Sequence, residues 1–266
     1  MIKFFRGIRQ DLVSESNASL SAGRFSKYIL YAVGEIILVV IGILIALQIN
    51  SWNEYSKNRK IEKEYYLRFK VELEENILNA DHQIQYSTYQ IKNAKIVEHA
   101  LEGEGLYPNT QELYLAIEHL GKTYPTQYTN NTWTEMLSNG NSSIIQNQEF
   151  REKLALLNSE MLQVLGIQSE INQNNVVYKN MTGDIFSVAL TNELNSKIHP
   201  RELRDSTLIP NLPNQQSIIE KLKAIKGLGG YVADIYQFKT VNKYLFERHK
   251  ASMAELVAIC EEELAQ

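Results

Sequence analysis

The sequence is poor in cysteine, proline and glycine. Its single cysteine, Cys260, excludes an internal disulfide framework and a metal site built from several cysteines. We interpret Cys260 as a small apolar residue on a helix face. Five prolines and 13 glycines among 266 residues are few for a fold of strands and tight turns. These shortages favour long helices.

Basic residues are not in excess over acidic residues either. The formal net charge is −4, and residues 1–52 hold five of the 27 basic and three of the 31 acidic side chains. The remainder therefore carries 22 basic and 28 acidic side chains. An acidic body without a basic stripe does not suit a phosphate backbone, so we expect no nucleic-acid partner.

Motifs that carry chemistry are lacking too. The GLGG segment at 227–230 has neither a preceding strand nor a following Lys-Ser/Thr, so a helix turn explains it better than phosphate binding. None of the five histidines belongs to an HExxH motif or follows a Glu by three residues, and no G-x-S-x-G occurs. We expect a non-enzymatic protein without a cofactor or a bound metal.

What the sequence does contain is a long hydrophobic run, YILYAVGEIILVVIGILIALQI at 28–49, with one carboxylate, Glu35. A helix of this length measures roughly 33 Å, enough to cross the hydrocarbon core of a bilayer. The run ends without a small-residue cleavage pattern, and no later segment reaches 18 apolar residues. We predict one uncleaved transmembrane helix at 28–49, with the lipid bilayer as a partner.

The orientation rests on basic residues beside the run. Arg24 and Lys27 adjoin it, whereas the next basic residue, Lys57, follows eight residues after Ile49. Five basic residues lie on each side of the run, so their number does not fix the orientation, and their distance from the run decides it. We expect a cytoplasmic N-terminal part at 1–27 and a periplasmic helical domain at 50–266. Residues 1–13 fit an amphipathic basic helix on the inner leaflet or a disordered basic tail, and 14–23 fit a flexible link.

One face of the predicted membrane helix combines the carboxylate with small residues. At 100° per residue, Val39, Gly42 and Ala46 all lie within about 40° of Glu35 around the helix, so the four residues form one stripe. Small residues let helices approach closely, and an acid within a membrane favours a partner. We predict a contact face for a homo-oligomer or for other membrane proteins. Two alternatives stay open for Glu35: it lies near the cytoplasmic boundary and reaches headgroups or Lys27, or it relays protons or ions.

The residues after the run predict an all-α fold, a single transmembrane helix followed by a bundle of long helices. A long amphipathic helix is expected up to Gly103, either separate from the membrane helix or continuous with it. Further helices are expected at 109–121, from 132, and at 148–181, 183–198, 215–226 and 231–264. The proline-containing segment 199–214 is expected to be an ordered loop or a seam between subdomains.

A polar aromatic loop within this domain is a second candidate surface. It contains Tyr124, Tyr128, Asn130, Asn131 and Trp133, and 139–143 follow it. Tyr, Trp and Asn are favoured at recognition surfaces, which predicts a partner contact. The alternative is that the rings pack on the bundle while the amides cap helices.

Three segments resemble a known family. These are MIKFFRGIR at 1–9, KYILYAVGEIILVVIGILIALQINSWNE at 27–54 and TWTEMLSNGNSSIIQNQEFREKLALLN at 132–158. They are similar to an uncharacterised family of bacterial inner-membrane proteins. The resemblance implies a single-pass protein of Gram-negative bacteria with a helical domain of unknown function, and it supplies no catalytic residues.

These observations predict a non-enzymatic, membrane-anchored protein that acts as a scaffold, as a sensor or in complex assembly. The alternative is a subunit of an ion- or proton-coupled membrane assembly that uses Glu35.

Overall fold

The computed structural model describes residues 22–103, 105–197, 208–209 and 211–266. The predicted tail at 1–13, most of the link at 14–23 and most of the seam at 199–214 lie outside these ranges. Every regular element in them is helical and no strand occurs, which confirms the all-α prediction. The helices are α1 (Ala22–Glu102), α2 (Thr110–Leu120), α3 (Asn131–Ser138), α4 (Gln148–Thr182), α5 (Val188–Ser196), α6 (Gln215–Ala224) and α7 (Leu228–Ala265), with a short 3-10 helix at Asn141–Ser143.

The chain forms two compact units, divided between Lys60 and Ile61. In the first unit, the large apolar side chains from Ile36 to Ile49 are each 46–63% exposed, and they point in every direction around α1. The most apolar 18-residue window has a mean hydropathy of 2.7, and none of it is buried. In the described part of the chain, this is the one helix long and apolar enough to cross a membrane.

The second unit is built on three long helices: the part of α1 from Ile61 onward, α4 and α7. Lys70 on α1 pairs with Glu261 on α7 at 2.7 Å, and Asp81 on α1 pairs with Lys250 on α7 at 2.6 Å. Residue numbers in these pairs rise along α1 while they fall along α7, so the two helices are antiparallel. Lys153 of α4 pairs with Glu255 at 3.0 Å and Glu160 of α4 pairs with Arg248, so α4 is antiparallel to α7 as well.

Two apolar clusters form the core of the second unit. The first cluster joins α1, α4 and α7 around Tyr66, Phe69, Phe150, Leu154, Leu157, Phe246, Met253, Leu256 and Cys260. The second cluster gathers the shorter helices at the C-terminal end of α1, around Ala94, Val97, Leu113, Tyr114, Ile117, Tyr178, Leu194, Leu222 and Ile235. Cys260 is fully buried, where burial raises the pKa of its thiol to about 12. Its role is that of a small core residue.

Polar side chains cap several of these helices locally. Asn109 accepts a hydrogen bond from the Glu112 amide at 3.1 Å at the start of α2, and Asn147 accepts one from the Phe150 amide at 2.9 Å at the start of α4. The Glu112 carboxylate forms an ion pair with Lys92 of α1 at 2.6 Å. This ion pair links the start of α2 to α1.

Two helix starts differ from the sequence prediction. α5 begins at Val188 rather than 183, because the Ser187 hydroxyl caps it by accepting a hydrogen bond from the Leu190 amide at 3.3 Å. α7 begins at Leu228, so the predicted GLGG break reduces to Gly227, whose φ of 83° lies in the left-handed region that glycine adopts freely.

Candidate contact surfaces

The predicted membrane contact face lies on the first unit. Glu35, Val39, Gly42 and Ala46 are all exposed on α1. A Cβ built on Gly42 would meet no heavy atom within 4 Å, so this side of the helix is open to close approach. The continuous helix at Ala22–Glu102 brings the four residues onto one stripe. Their role in contacts between proteins stays a prediction.

Three residues of the polar aromatic loop, Tyr124, Tyr128 and Asn130, lie between α2 and α3, whereas Asn131 and Trp133 lie in the first turn of α3. The part between the helices is held mainly through its backbone. Asn76 of α1 donates to the Thr129 carbonyl at 2.7 Å and accepts from the Thr129 amide at 2.9 Å. The Gln83 amide donates to the Pro125 carbonyl at 3.0 Å. The Tyr86 hydroxyl donates to the Lys122 carbonyl at 2.6 Å. A row of polar residues on α1 therefore provides hydrogen-bond partners for partly buried backbone groups of the loop.

The side chains of the loop divide between the bundle and solvent. The Tyr128 hydroxyl donates to Asn158 at 3.1 Å, and the Asn130 amide donates to the same oxygen at 3.2 Å. The Tyr124 ring lies 5.7 Å from the ring of Tyr86. Trp133 packs against the first apolar cluster, whereas Asn131 is exposed. Four of the five side chains thus contact the bundle, and a partner contact through the loop stays a prediction.

Two carboxylates of α1 anchor the segment that follows the loop. Glu72 accepts hydrogen bonds from the Thr132 amide at 3.0 Å and from the Thr132 hydroxyl at 2.8 Å, at the start of α3. Glu62 accepts one from the Gln146 amide at 2.6 Å, just before α4. Sequence reasoning missed both residues, because their partners are more than 50 positions away along the chain and no local spacing marks the contact.

A lysine lies in the interior between α1 and α7. Lys239 is 1% exposed, and its ammonium lies 5.2 Å from the centre of the Tyr86 ring. No carboxylate in the described part of the chain pairs with it. Burial lowers the pKa of Lys239 from 10.5 to about 8. Nearby, Asn242 donates to the Ser87 hydroxyl at 3.1 Å, and its own side-chain oxygen is buried without a hydrogen bond.

Lys239 could have been found from the sequence. It occupies the three- and four-residue spacing that Val232, Ile235, Asn242 and Phe246 follow on the buried side of α7. A charged residue in that register indicates burial rather than exposure.

Two histidines, His119 and His249, are also buried in the second unit. His249 lies with Nε2 3.0 Å from Glu160, which also pairs with Arg248. Burial lowers the pKa of His249, although Glu160 opposes that shift. Burial also lowers the pKa of His119 to about 3, and its Nδ1 lies 3.1 Å from the Tyr89 hydroxyl. Among the described residues, no three His, Cys, Asp or Glu side chains converge as a metal site would require.

The fold and these surfaces define an all-helical protein with one helix that could cross a membrane. The chain matches the model of a family of unknown function (DUF6090) over residues 35–212, which is more than half of its length. It therefore belongs to that family, and the predicted membership of an uncharacterised family is confirmed. No curated protein and no solved structure matches the chain.

Proposed function

We propose that this protein is a non-enzymatic, single-pass protein of the inner membrane of Gram-negative bacteria, and that its helical domain assembles a membrane complex. The observation that carries the proposal is the exposure of every large apolar side chain from Ile36 to Ile49. A core helix of a soluble protein buries at least one face, whereas a helix apolar on all sides suits lipid.

The energy of insertion supports an anchor at this run. Residues 36–49 contain eleven Leu, Ile or Val side chains. Each favours insertion by about 0.3–0.6 kcal/mol near the bilayer centre, so together they contribute roughly 3–7 kcal/mol. Glu35 lies within the 28–49 run, about two turns from its N-terminal end, and its carboxylate reduces this gain. The apolar region is also longer than that of a cleaved signal peptide.

The orientation follows from the basic residues Arg24 and Lys27, which adjoin the run and are retained on the cytoplasmic side. The helical domain then lies in the periplasm. Assembly is favoured over catalysis because each buried histidine of the second unit contacts a side chain of the bundle, His119 with Tyr89 and His249 with Glu160.

The first experiment tests anchoring and orientation together. Membranes are extracted with alkaline carbonate, and single cysteines replacing Asn17 or Glu170 are labelled in intact cells with an impermeant maleimide. Glu170 is exposed, and the native Cys260 is buried, so background labelling in the folded protein is low. We expect retention in the membrane and labelling at position 170 only. Release by carbonate refutes the anchor, and labelling at position 17 alone refutes the orientation.

The second experiment tests assembly through the Glu35 stripe. Gly42→Leu adds bulk on the stripe, and Gly34→Leu is a matched control because residue 34 lies about 100° from Glu35. We expect Gly42→Leu to reduce cross-linking between copies or to neighbouring proteins in native membranes, while Gly34→Leu does not. Equal behaviour of the two variants contradicts a contact through this face.

Substitution of Glu35 distinguishes packing from the alternative function in ion or proton coupling. A packing role predicts loss of assembly in Glu35→Ala and retention in Glu35→Gln, since the amide keeps the volume and the hydrogen-bonding capacity. Loss in both variants, with assembly intact in Gly42→Ala, favours a role for the charge. Unaltered assembly and growth in both variants contradict both roles of this side chain.

A further inference from the structure

A groove of about 550 Å³ lies on the second unit, between the C-terminal part of α1 and the N-terminal half of α7. Along α7 it extends from Gly229 to Val241, about 18 Å at the rise of an α-helix. Its apolar lining includes Leu101 on α1 and Val232 on α7. The groove is thus long enough for about three turns of another helix.

The groove is open on its α7 side, where most of the lining residues are small. Gly229 and Ala233 are exposed and one helical turn apart, and a Cβ built on Gly229 would meet no heavy atom within 4 Å. Tyr236 and Val241 line the groove and remain 37% and 41% exposed. Small residues beside exposed apolar side chains allow the ridge of a third helix to approach closely and to bury apolar surface.

The α1 side of the groove is acidic. Glu98 and Glu102 line it, and no basic side chain in the described part of the chain pairs with either. Lys95, the basic residue of the lining, lies with its ammonium 5.7 Å from the centre of the Tyr236 ring. The lining on the α7 side is uncharged. The groove therefore presents one apolar floor and one negative edge.

These carboxylates are unfavourable for α1 itself. Glu98 and Glu102 are four residues apart, a spacing at which like charges repel along a helix. They also occupy the last turns of α1, where the helix dipole disfavours negative charge. Two locally unfavourable charges beside an open apolar groove favour a compensating contact with a basic group outside the unit.

We propose that this groove binds an amphipathic helix of a partner protein, with its apolar face against α7 and its Lys or Arg residues against Glu98 and Glu102. This inference rests on the proposed assembly function and names the class of partner. Charge complementarity selects a basic helix, and the apolar floor selects one with apolar residues at three- and four-residue spacing.

The test uses the full chain in its native membranes with a photo-crosslinking amino acid at Gln237, which is exposed in the groove lining. The matched position is Asp234, which is exposed on the same helix outside that lining. Cross-linked peptides are sequenced by mass spectrometry. We expect a product from position 237 and none from 234, and we expect the captured peptide to carry apolar residues at helical spacing together with Lys or Arg.

Charge reversal then tests the acidic edge. The double variant E98K/E102K is expected to reduce the cross-link yield about tenfold, which corresponds to about 1.4 kcal/mol of binding free energy. The control E170K/E262K makes the same change in net charge at two exposed positions and is expected to leave the yield unchanged. Circular dichroism of all variants checks that the helix content is retained.

Each other outcome overturns the inference. A cross-link to a second copy of this chain, to an acidic or non-helical peptide, or to nothing contradicts a basic helical partner, as does a yield that charge reversal leaves unchanged. If a partner still co-purifies while position 237 captures nothing, the groove assignment fails and the assembly function stands. If nothing co-purifies and nothing is captured, both fail.

Discussion

Replacing Lys239 by methionine is expected to stabilise the second unit. The side chain is buried, its ammonium meets the Tyr86 ring, and no carboxylate in the described part of the chain neutralises it. Methionine has a similar length and adapts its shape to a core, so Lys239→Met removes the buried charge without leaving a large cavity.

The magnitude follows from the pKa of Lys239. Burial lowers it from 10.5 to about 8, and a tenfold change in a protonation equilibrium corresponds to about 1.4 kcal/mol, so the charged form costs roughly 3 kcal/mol on folding. Below pH 8 the folded and unfolded states both carry the proton, and the cost is fully present. Between pH 8 and 10.5 the folded state loses the proton first, so the cost declines, and above pH 10.5 it vanishes.

The assay is guanidinium unfolding of the full chain in detergent at pH 7, 8.5 and 10, followed by the fluorescence of its two tryptophans. Trp133 packs against the first apolar cluster and reports on the second unit. Lys239→Met should raise the free energy of unfolding by about 3 kcal/mol at pH 7 and by progressively less towards pH 10. Lys243→Met, on the same helix, should change it by less than about 0.5 kcal/mol. A destabilised Lys239→Met variant, or a difference independent of pH, refutes the reasoning.

Three further predictions concern other contacts of the second unit. Asn76→Leu removes both hydrogen bonds to Thr129 and should destabilise the unit by about 2–4 kcal/mol, with faster amide hydrogen exchange in 122–131; unchanged exchange there would contradict the backbone clamp. Stability should fall as the pH drops from 6.5 towards 3, because the unfolded state protonates His119 first, and acid titration of His119→Gln should show a smaller loss. Glu102→Lys should stabilise the unit by about 0.5 kcal/mol and so raise its melting temperature slightly; a lower melting temperature would show that Glu102 does not destabilise α1.

The sequence predicted those parts of the fold that depend on neighbouring residues. The helical class, the helix expected at 109–121 and the loop before α3 all follow from spacing and turn chemistry within a few positions. The contacts of Glu62 and Glu72 with distant backbone amides do not, because they depend on how the chain returns to α1. The start of α5 was misplaced because Gly183 ended one helix while Ser187, four residues later, capped the next.

The candidate contact surfaces also differ in whether the sequence alone could predict them. The stripe of Glu35 and Gly42 follows from the period of one helix and could be read from the sequence. The groove could not, because its two sides, such as Glu98 and Gly229, are more than 100 positions apart and only the antiparallel packing of α1 with α7 joins them. The same packing buries Lys239.

The clamp on the loop between α2 and α3 has a consequence for divergence within the family. Asn76 and Gln83 hold main-chain atoms, which are the same whatever side chains the loop carries. Outward-pointing positions such as Thr123 and Gln127 can therefore change freely while the path of the loop is retained. The bundle provides a fixed frame on which relatives can evolve different loop surfaces without redesigning their cores.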